Sequence, residues 1–300
     1  MTRFVSVGEC MVEMSGGEDG LYRLGYAGDT LNTAWYARAR LPADWSVDYV
    51  TALGDDIYSQ QIVDFIAGNG IGIGHIQKID GKRPGLYLIH QAGGDRHFTY
   101  WRGQSAAKLM AEQPGALVSA FEGADIAYFS GISLAILAPR ARGKLLKAIH
   151  LARQGGARVA FDPNERPLLW TSPRIMGSTI AAAATIADVV LPTFPDEAAV
   201  FGDASPQAVA ERYLSWGVEE VVVKNGGEPA YVASRESSGW VAPQAGAKSV
   251  DPTGAGDSFN GAYLAARAQG ASPLEAAAAA HATAAIVIGH RGALVPHKLL

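Results

Sequence analysis

Short apolar runs alternate with longer segments of helical period along most of this chain, and that alternation limits what it can fold into. Phe4–Val7, Asp48–Thr51, Ile126–Phe129, Arg158–Phe161, Val189–Leu191 and Glu220–Val223 read as strands, most of them bounded by Gly, Asp or Pro. Between them, Thr30–Arg40, Ser59–Asn69, Pro139–Gln154, Gln207–Trp216, Asp257–Ala268 and Pro273–Ile288 read as helices. Strands joined through helices pair in parallel, and each crossover helix lies on a face of the sheet. The expected class is therefore α/β, with a mostly parallel central sheet covered on both sides. Sites in such sheets gather at the carboxyl ends of the strands.

Two segments interrupt the pattern, Cys10–Leu24 and Pro84–Arg102. They carry short alternating stretches such as Gly85–His90 and His97–Arg102, and Gly93-Gly94-Asp95 between these is a hairpin turn signal. They are expected to form a small separate β-sheet acting as a lid, with edge strands of the main sheet as the alternative. Glu275–Ala285, rich in alanine, reads as a close-packed helix. With no linker or internal repeat, residues 1–300 read as a single domain.

Bulk properties exclude several classes. The net charge of −4 comes from 25 basic and 29 acidic residues with no Lys/Arg run, which argues against a nucleic-acid surface. Cys10 is the only cysteine, so no intrachain disulfide and no cysteine metal cluster can form. The N-terminus lacks a signal-peptide core, and no apolar run approaches the ~20 residues of a membrane span. A cytoplasmic protein is expected. The histidines show no zinc-binding spacing, and a protein-held metal is not expected. The P-loop and the Rossmann glycine pattern are both absent.

The densest chemical signal is Asp251-Pro252-Thr253-Gly254-Ala255-Gly256-Asp257-Ser258-Phe259-Asn260-Gly261-Ala262. Gly254 and Gly256 allow a tight turn and close approach to a ligand. The turn feeds a helix start, whose open N–H groups and dipole favour an anion. A carboxylate there repels that anion, so Asp257 calls for a chemical reason: a base for a hydroxyl proton while the amides hold a phosphoryl group. A plain helix cap is the alternative.

A second signal is Gly28-Asp29-Thr30-Leu31-Asn32-Thr33-Ala34. Asp29 or Thr30 can cap the helix that follows, which leaves Asn32 unexplained. Asp29 and Asn32 stand one helical turn apart and can face one cleft, and such a pair suits sugar hydroxyls. Arg102 ends the aromatic stretch beside Tyr100, and Arg166 follows the strand ending at Phe161. Two guanidiniums aimed at one pocket would suit a carboxylate.

The run Asp-x-Thr-Gly-Ala-Gly-Asp-x-Phe-x-Gly resembles the C-terminal motif of the ribokinase-like (PfkB) carbohydrate kinases. With Gly8–Glu13, Gly28–Ala34, Phe129–Ala135 and Asp162–Arg166, the chain looks most like the 2-keto-3-deoxygluconate kinases within that family. The resemblance runs from Val5 to about Ile288. Ala27 replaces one glycine of the family's N-terminal motif. The implied fold is a three-layer sandwich with a β-sheet lid, and the implied reaction is ATP-dependent phosphorylation of a sugar acid. Asp257 would be the catalytic base, and Gly254, Ala255 and Gly256 the anion hole. Gly28, Asp29, Asn32, Tyr87, Tyr100, Arg102, Asn164 and Arg166 would line the sugar pocket with Asp257.

For the nucleotide, the resemblance implies Thr193, Lys224, Gly226 and Gly227 near the phosphates, and His281 and Ala284 packing by the adenine. Thr193 and Asp196 stand where many members carry the Asn-x-x-Glu that orders Mg²⁺-bound water, with helix capping as the alternative for Asp196 and Glu197. The implied partners are the sugar acid and ATP, with no nucleic acid or membrane, and the lid can pair subunits into a homo-oligomer. Two alternatives remain open. One is a neutral-sugar kinase such as a fructokinase, and the other is a non-catalytic binding protein on the same fold.

Overall fold

A computed structural model of the chain describes residues 2–16, 20–92, 95–235 and 237–300. The strands are β1 (Thr2–Val7), β2 (Met11–Gly16), β3 (Tyr22–Ala27), β4 (Trp45–Leu53), β5 (Ile76–Lys78), β6 (Gly85–Ala92), β7 (Asp95–Trp101), β8 (Ile126–Ser130), β9 (Arg158–Asp162), β10 (Val189–Val190), β11 (Glu220–Val223), β12 (Ala230–Ser234) and β13 (Ser238–Val241). The helices are α1 (Asp29–Arg40), α2 (Ile57–Gly68), α3 (Pro114–Phe121), α4 (Gly131–Ala135), α5 (Pro139–Gln154), α6 (Pro173–Ala184), α7 (Phe194–Phe201), α8 (Pro206–Ser215), α9 (Ala255–Ala268) and α10 (Pro273–Ile288).

Among the described residues the main sheet runs β13-β12-β11-β10-β9-β8-β1-β4-β5. It is parallel from β11 to β5, and β12 and β13 are antiparallel at one edge. Successive side chains of a strand point to opposite faces, and this sequence fills both faces with apolar groups. In β8, Ile126 and Tyr128 join the core under α1, α9 and α10, whereas Ala127 and Phe129 join the core under α3, α5 and α6. The result is the three-layer arrangement expected for near-continuous apolar strands.

Helix starts follow local chemistry. Ser172, Ser205 and Ser272 each cap a helix whose first residue is proline, at α6, α8 and α10. Asp56 caps α2 through Tyr58 and Ser59. At α1 the expectation fails. Neither Asp29 nor Thr30 caps it; Gly28 occupies the cap position with no side-chain cap bond. A Cβ at Gly28 would stand 2.0 Å from the Glu9 carbonyl oxygen, so only glycine fits where β3 hands over to α1.

The interrupting segments form their own sheet, ordered β3-β2-β6-β7, so the edge-strand alternative is set aside. The chain enters it after β1, leaves after β3 for α1, β4, α2 and β5, and returns for β6 and β7. The turn expected at Gly93 and Gly94 lies outside the described residues, although β6 and β7 pair antiparallel up to Ala92 and Asp95. The alanine-rich run lies within α10, where Ala276, Ala277 and Ala280 are buried in the core shared with α9. No helix among the described residues is long and apolar enough to cross a membrane.

Candidate active site

The carboxyl ends of β1, β9, β10 and β11, the small sheet and the N-termini of α1 and α9 surround a cleft of about 740 Å³. That volume suits a small-molecule site. Gly254 precedes α9 with φ of 78°, and a Cβ there would meet the Ala293 carbonyl at 2.5 Å. Both facts require glycine. The Ala255 amide is spent inside the turn on the Pro252 carbonyl at 3.1 Å. Of the amides expected to form an anion hole, that of Ala255 is therefore engaged, and the first-turn amides of Gly256 and Asp257 are those that no earlier helical turn can satisfy.

Asp257 projects from this first turn into the cleft. Asn32, from α1, donates its side-chain N–H to Asp257 Oδ2 at 2.8 Å. The Asp257 carboxylate opens onto the cleft, but the walls exclude most of the water that would stabilise its charge. Burial foremost, then the neighbouring Asp29 carboxylate, push its pKa up to about 7; the Asn32 hydrogen bond and Lys224 oppose the rise. A base tuned near neutrality is what proton abstraction at physiological pH requires.

Beneath Asp257 lies a polar floor. Lys224 donates to Asp162 Oδ2 at 2.8 Å and to Asn260 Oδ1 at 3.1 Å, and Asn260 donates to the same Asp162 oxygen at 2.6 Å. The ammonium remains close to the glycine turn: a Cβ added at Gly256 would meet it at 3.8 Å. Asn164 takes a left-handed backbone, φ 35°, which asparagine tolerates better than most residues. Its side chain donates to Asp29 Oδ2 at 2.9 Å. Burial raises the Asp29 pKa, and hydrogen bonds from Ser130 and Asn164 oppose that rise.

The arginines differ from the simplest expectation of two open guanidiniums. Arg102 is held by Glu9, whose fully buried carboxylate also accepts from Ser105. Arg166 is half exposed; its Nη1 donates to the Glu165 carbonyl at 2.7 Å and lies 3.6 Å from Asp196 Oδ2. Tyr87 donates to Glu13 and stacks on Tyr100, 5.7 Å between centroids. Both tyrosines and both arginines line the cleft with Gly28, Asp29, Asn32 and Asn164.

At the other end, Thr193 pairs with Lys224 where β10 and β11 finish. Thr193, Asp196, Lys224, Gly226, His281 and Ala284 all line the cleft, whereas Gly227 lies outside its lining. Glu197 is no helix cap. It is fully buried and accepts from Arg212 at 2.6 Å and Tyr213 at 2.7 Å. His281 packs edge-on against Phe259, 5.1 Å between ring centroids. Among the described residues no group of three or more His, Cys, Asp or Glu could hold a metal ion.

Sequence reasoning missed Glu9, Asp162 and Asn260 as parts of this site. Glu9 and Asp162 had a readable signal, since each stands at or just past the carboxyl end of an apolar strand. Asn260 reads as one more residue of an amphipathic helix and only the packed structure reveals its partners. Together the residues place a carboxylate, a glycine turn beside a buried lysine and two arginines around one cleft. Such groups in one cleft have the chemistry to accept a hydroxyl proton and to hold anions.

Comparison with known proteins agrees with this geometry. The sequence profile described as pfkB family carbohydrate kinase matches residues 1–298. A 2-dehydro-3-deoxygluconokinase of Escherichia coli (strain K12) is 41% identical over 303 aligned positions, covering 98% of this chain and 97% of that protein. One from Dickeya dadantii (strain 3937) is 39% identical over 297 positions, covering 97% and 96%. Among solved structures, a fructokinase from Xylella fastidiosa with bound ATP superimposes with a TM-score of 0.86 at 22% identity, covering 99% of this chain and 94% of that one.

Proposed function

The chain belongs to the pfkB family of carbohydrate kinases, and from that premise we propose that it uses ATP to phosphorylate the terminal hydroxyl of 2-keto-3-deoxygluconate (2-dehydro-3-deoxygluconate). One observation carries the reading. Asp257, held by Asn32 at the glycine turn, shares a cleft with Arg102 and Arg166. The first feature serves phosphoryl transfer, and the second serves an acid rather than a neutral sugar.

In the proposed reaction, Arg166 and the exposed edge of Arg102 hold the substrate carboxylate. The distal hydroxyl then reaches Asp257. Asp257 accepts the hydroxyl proton as that oxygen bonds to the γ-phosphorus, and the bond from that phosphorus to the β-phosphate oxygen breaks, releasing ADP. The first-turn amides of α9 and the nearby Lys224 ammonium stabilise charge on the phosphoryl group in transit. Positioning contributes much of such catalysis, because the reacting groups must approach in line. The small sheet closes over the sugar and excludes water as a competing acceptor. The glycine loop after β11 and the α10 residues His281 and Ala284 border the nucleotide.

The residues fit a magnesium ion carried by the nucleotide. Thr193 and Asp196 supply hard oxygen donors at the phosphate end, and among the described residues no cluster of three or more His, Cys, Asp or Glu competes for the ion. When bound, Mg²⁺ supplies neutralisation of phosphate charge. The reaction is tested by incubating the purified protein with ATP, Mg²⁺ and the keto-deoxy acid and identifying the product by phosphorus and carbon NMR. A phosphate ester on the terminal carbon supports the reading, and an ester elsewhere, or none, contradicts it.

A further inference from the structure

Arg166 lies between the two ends of the cleft and is engaged from one of them. Its Nη1 stands 3.6 Å from Asp196 Oδ2, in a half-exposed pair whose members both line the cleft. Asp196 sits in the first turn of α7, on the phosphate side, and Arg166 follows β9 on the sugar side.

The meeting is built into the fold below it. Glu165 and Glu197, the chain neighbours of Arg166 and Asp196, face each other in the interior. Neither Glu165 oxygen receives a hydrogen bond from the described residues. Glu197 accepts from Arg212 and Tyr213. A buried acid without donors, facing an acid already supplied with them, favours its neutral form. Burial, and then Glu197, raise the Glu165 pKa accordingly. The two acids bring the loop after β9 against the start of α7, where Arg166 and Asp196 are the next residues to meet.

We propose that Asp196 is an internal competitor of the substrate carboxylate for Arg166, so that the sugar acid and the magnesium nucleotide each promote binding of the other. This inference rests on the sugar-acid reading above. A carboxylate that takes the Nη1 edge of Arg166 displaces Asp196 from it. Asp196, once turned toward the hydrated ion on the nucleotide, releases Arg166 in the same way. Linkage then requires that each ligand tighten the other by one factor. The pair is half exposed, so removing the competitor yields about a two- to fivefold effect, the range of such ion pairs.

The test is calorimetric binding of 2-keto-3-deoxygluconate, without turnover, to the wild type, Asp196→Asn, Arg166→Ala and the double variant. Each is measured alone and with Mg²⁺ and a non-hydrolysable ATP analogue. Wild type should bind the acid more tightly once the analogue is present. Asp196→Asn should bind it about two- to fivefold more tightly than wild type without nucleotide, and gain little from the analogue. In the Arg166→Ala background the Asp196→Asn change should have no effect. Equal affinity of wild type and Asp196→Asn for the acid overturns the competition and leaves the sugar-acid reading intact. No binding of the acid to wild type in any arm overturns both.

Discussion

Asn32 and Asp257 are separated by 225 residues in the chain and by 2.8 Å in the fold, where the amide of one donates to the carboxylate of the other. α1 and α9 pack side by side on one face of the main sheet to make that contact. Gly261 is part of the reason. A Cβ there would stand 2.5 Å from the Thr33 carbonyl and 2.8 Å from the Ala37 amide, so glycine lets the helices approach.

Asp257→Asn keeps the shape of the side chain and removes the proton acceptor. Turnover should fall by about 10²-fold or more, the scale of a lost general base. Nucleotide affinity, read by calorimetry, should stay near wild type. Near-normal kcat in this variant would remove Asp257 from the chemistry.

The raised pKa of Asp257, about 7, predicts an acid limb in the pH profile. The base works only when deprotonated, so kcat/KM should rise with pH through about 7 and level off above it. Asn32 stabilises the charged form. Asn32→Ala should therefore shift the limb to higher pH, in addition to any loss in sugar affinity. A flat profile between pH 5.5 and 8 would contradict the assignment.

Arg166→Ala should raise KM for the sugar acid by about tenfold to a hundredfold, in line with the ~1.5–3 kcal/mol of a hydrogen bond to a charged group, and leave KM for ATP within about twofold. Arg166→Lys should restore only part of the loss, since an ammonium cannot present the paired donors of a guanidinium. Equal KM for the acid in wild type and Arg166→Ala would deny the carboxylate contact.

Lys224→Met tests the polar floor. Asp162 would remain buried with its charge unmatched, although Asn260 still donates to it. Stability measured by urea unfolding should drop by about 3 kcal/mol or more, the usual cost of breaking a buried pair from one side. Lys224→Met combined with Asp162→Asn should recover part of that loss, because the stranded charge is gone.

The parts of this protein legible in its sequence are those whose causes are local. Apolar runs such as Glu220–Val223 announce buried parallel strands, and the turn Gly254–Asp257 announces both a helix start and an anion site. The pairs that organise the cleft are invisible at that level. Glu9 with Arg102, Lys224 with Asp162, and Glu165 with Glu197 each join residues distant in sequence, and each is explained by a burial that only the packed sheet creates. Hence Arg102 and Arg166 read as two open cations, whereas each meets an acid of the chain. Helices α3, α4, α6 and α7 are likewise absent from the helical segments expected above. The Ser172-Pro173 start of α6 is legible, and Met176, Thr179, Ile180, Ala183 and Ala184 recur at helical spacing, but threonine and alanine on that buried face make a faint apolar stripe. The antiparallel edge of β12 and β13 lacks the strand–helix alternation that revealed the rest.

The most direct measurement is the ratio of kcat/KM for 2-keto-3-deoxygluconate to that for fructose, from ADP release by the purified protein with ATP and Mg²⁺. The cleft described above predicts a ratio far above one, and a collapse of that ratio in Arg166→Ala. A ratio at or below one would leave Asp257 and the glycine turn as a kinase site but contradict the assignment of a sugar acid as its substrate.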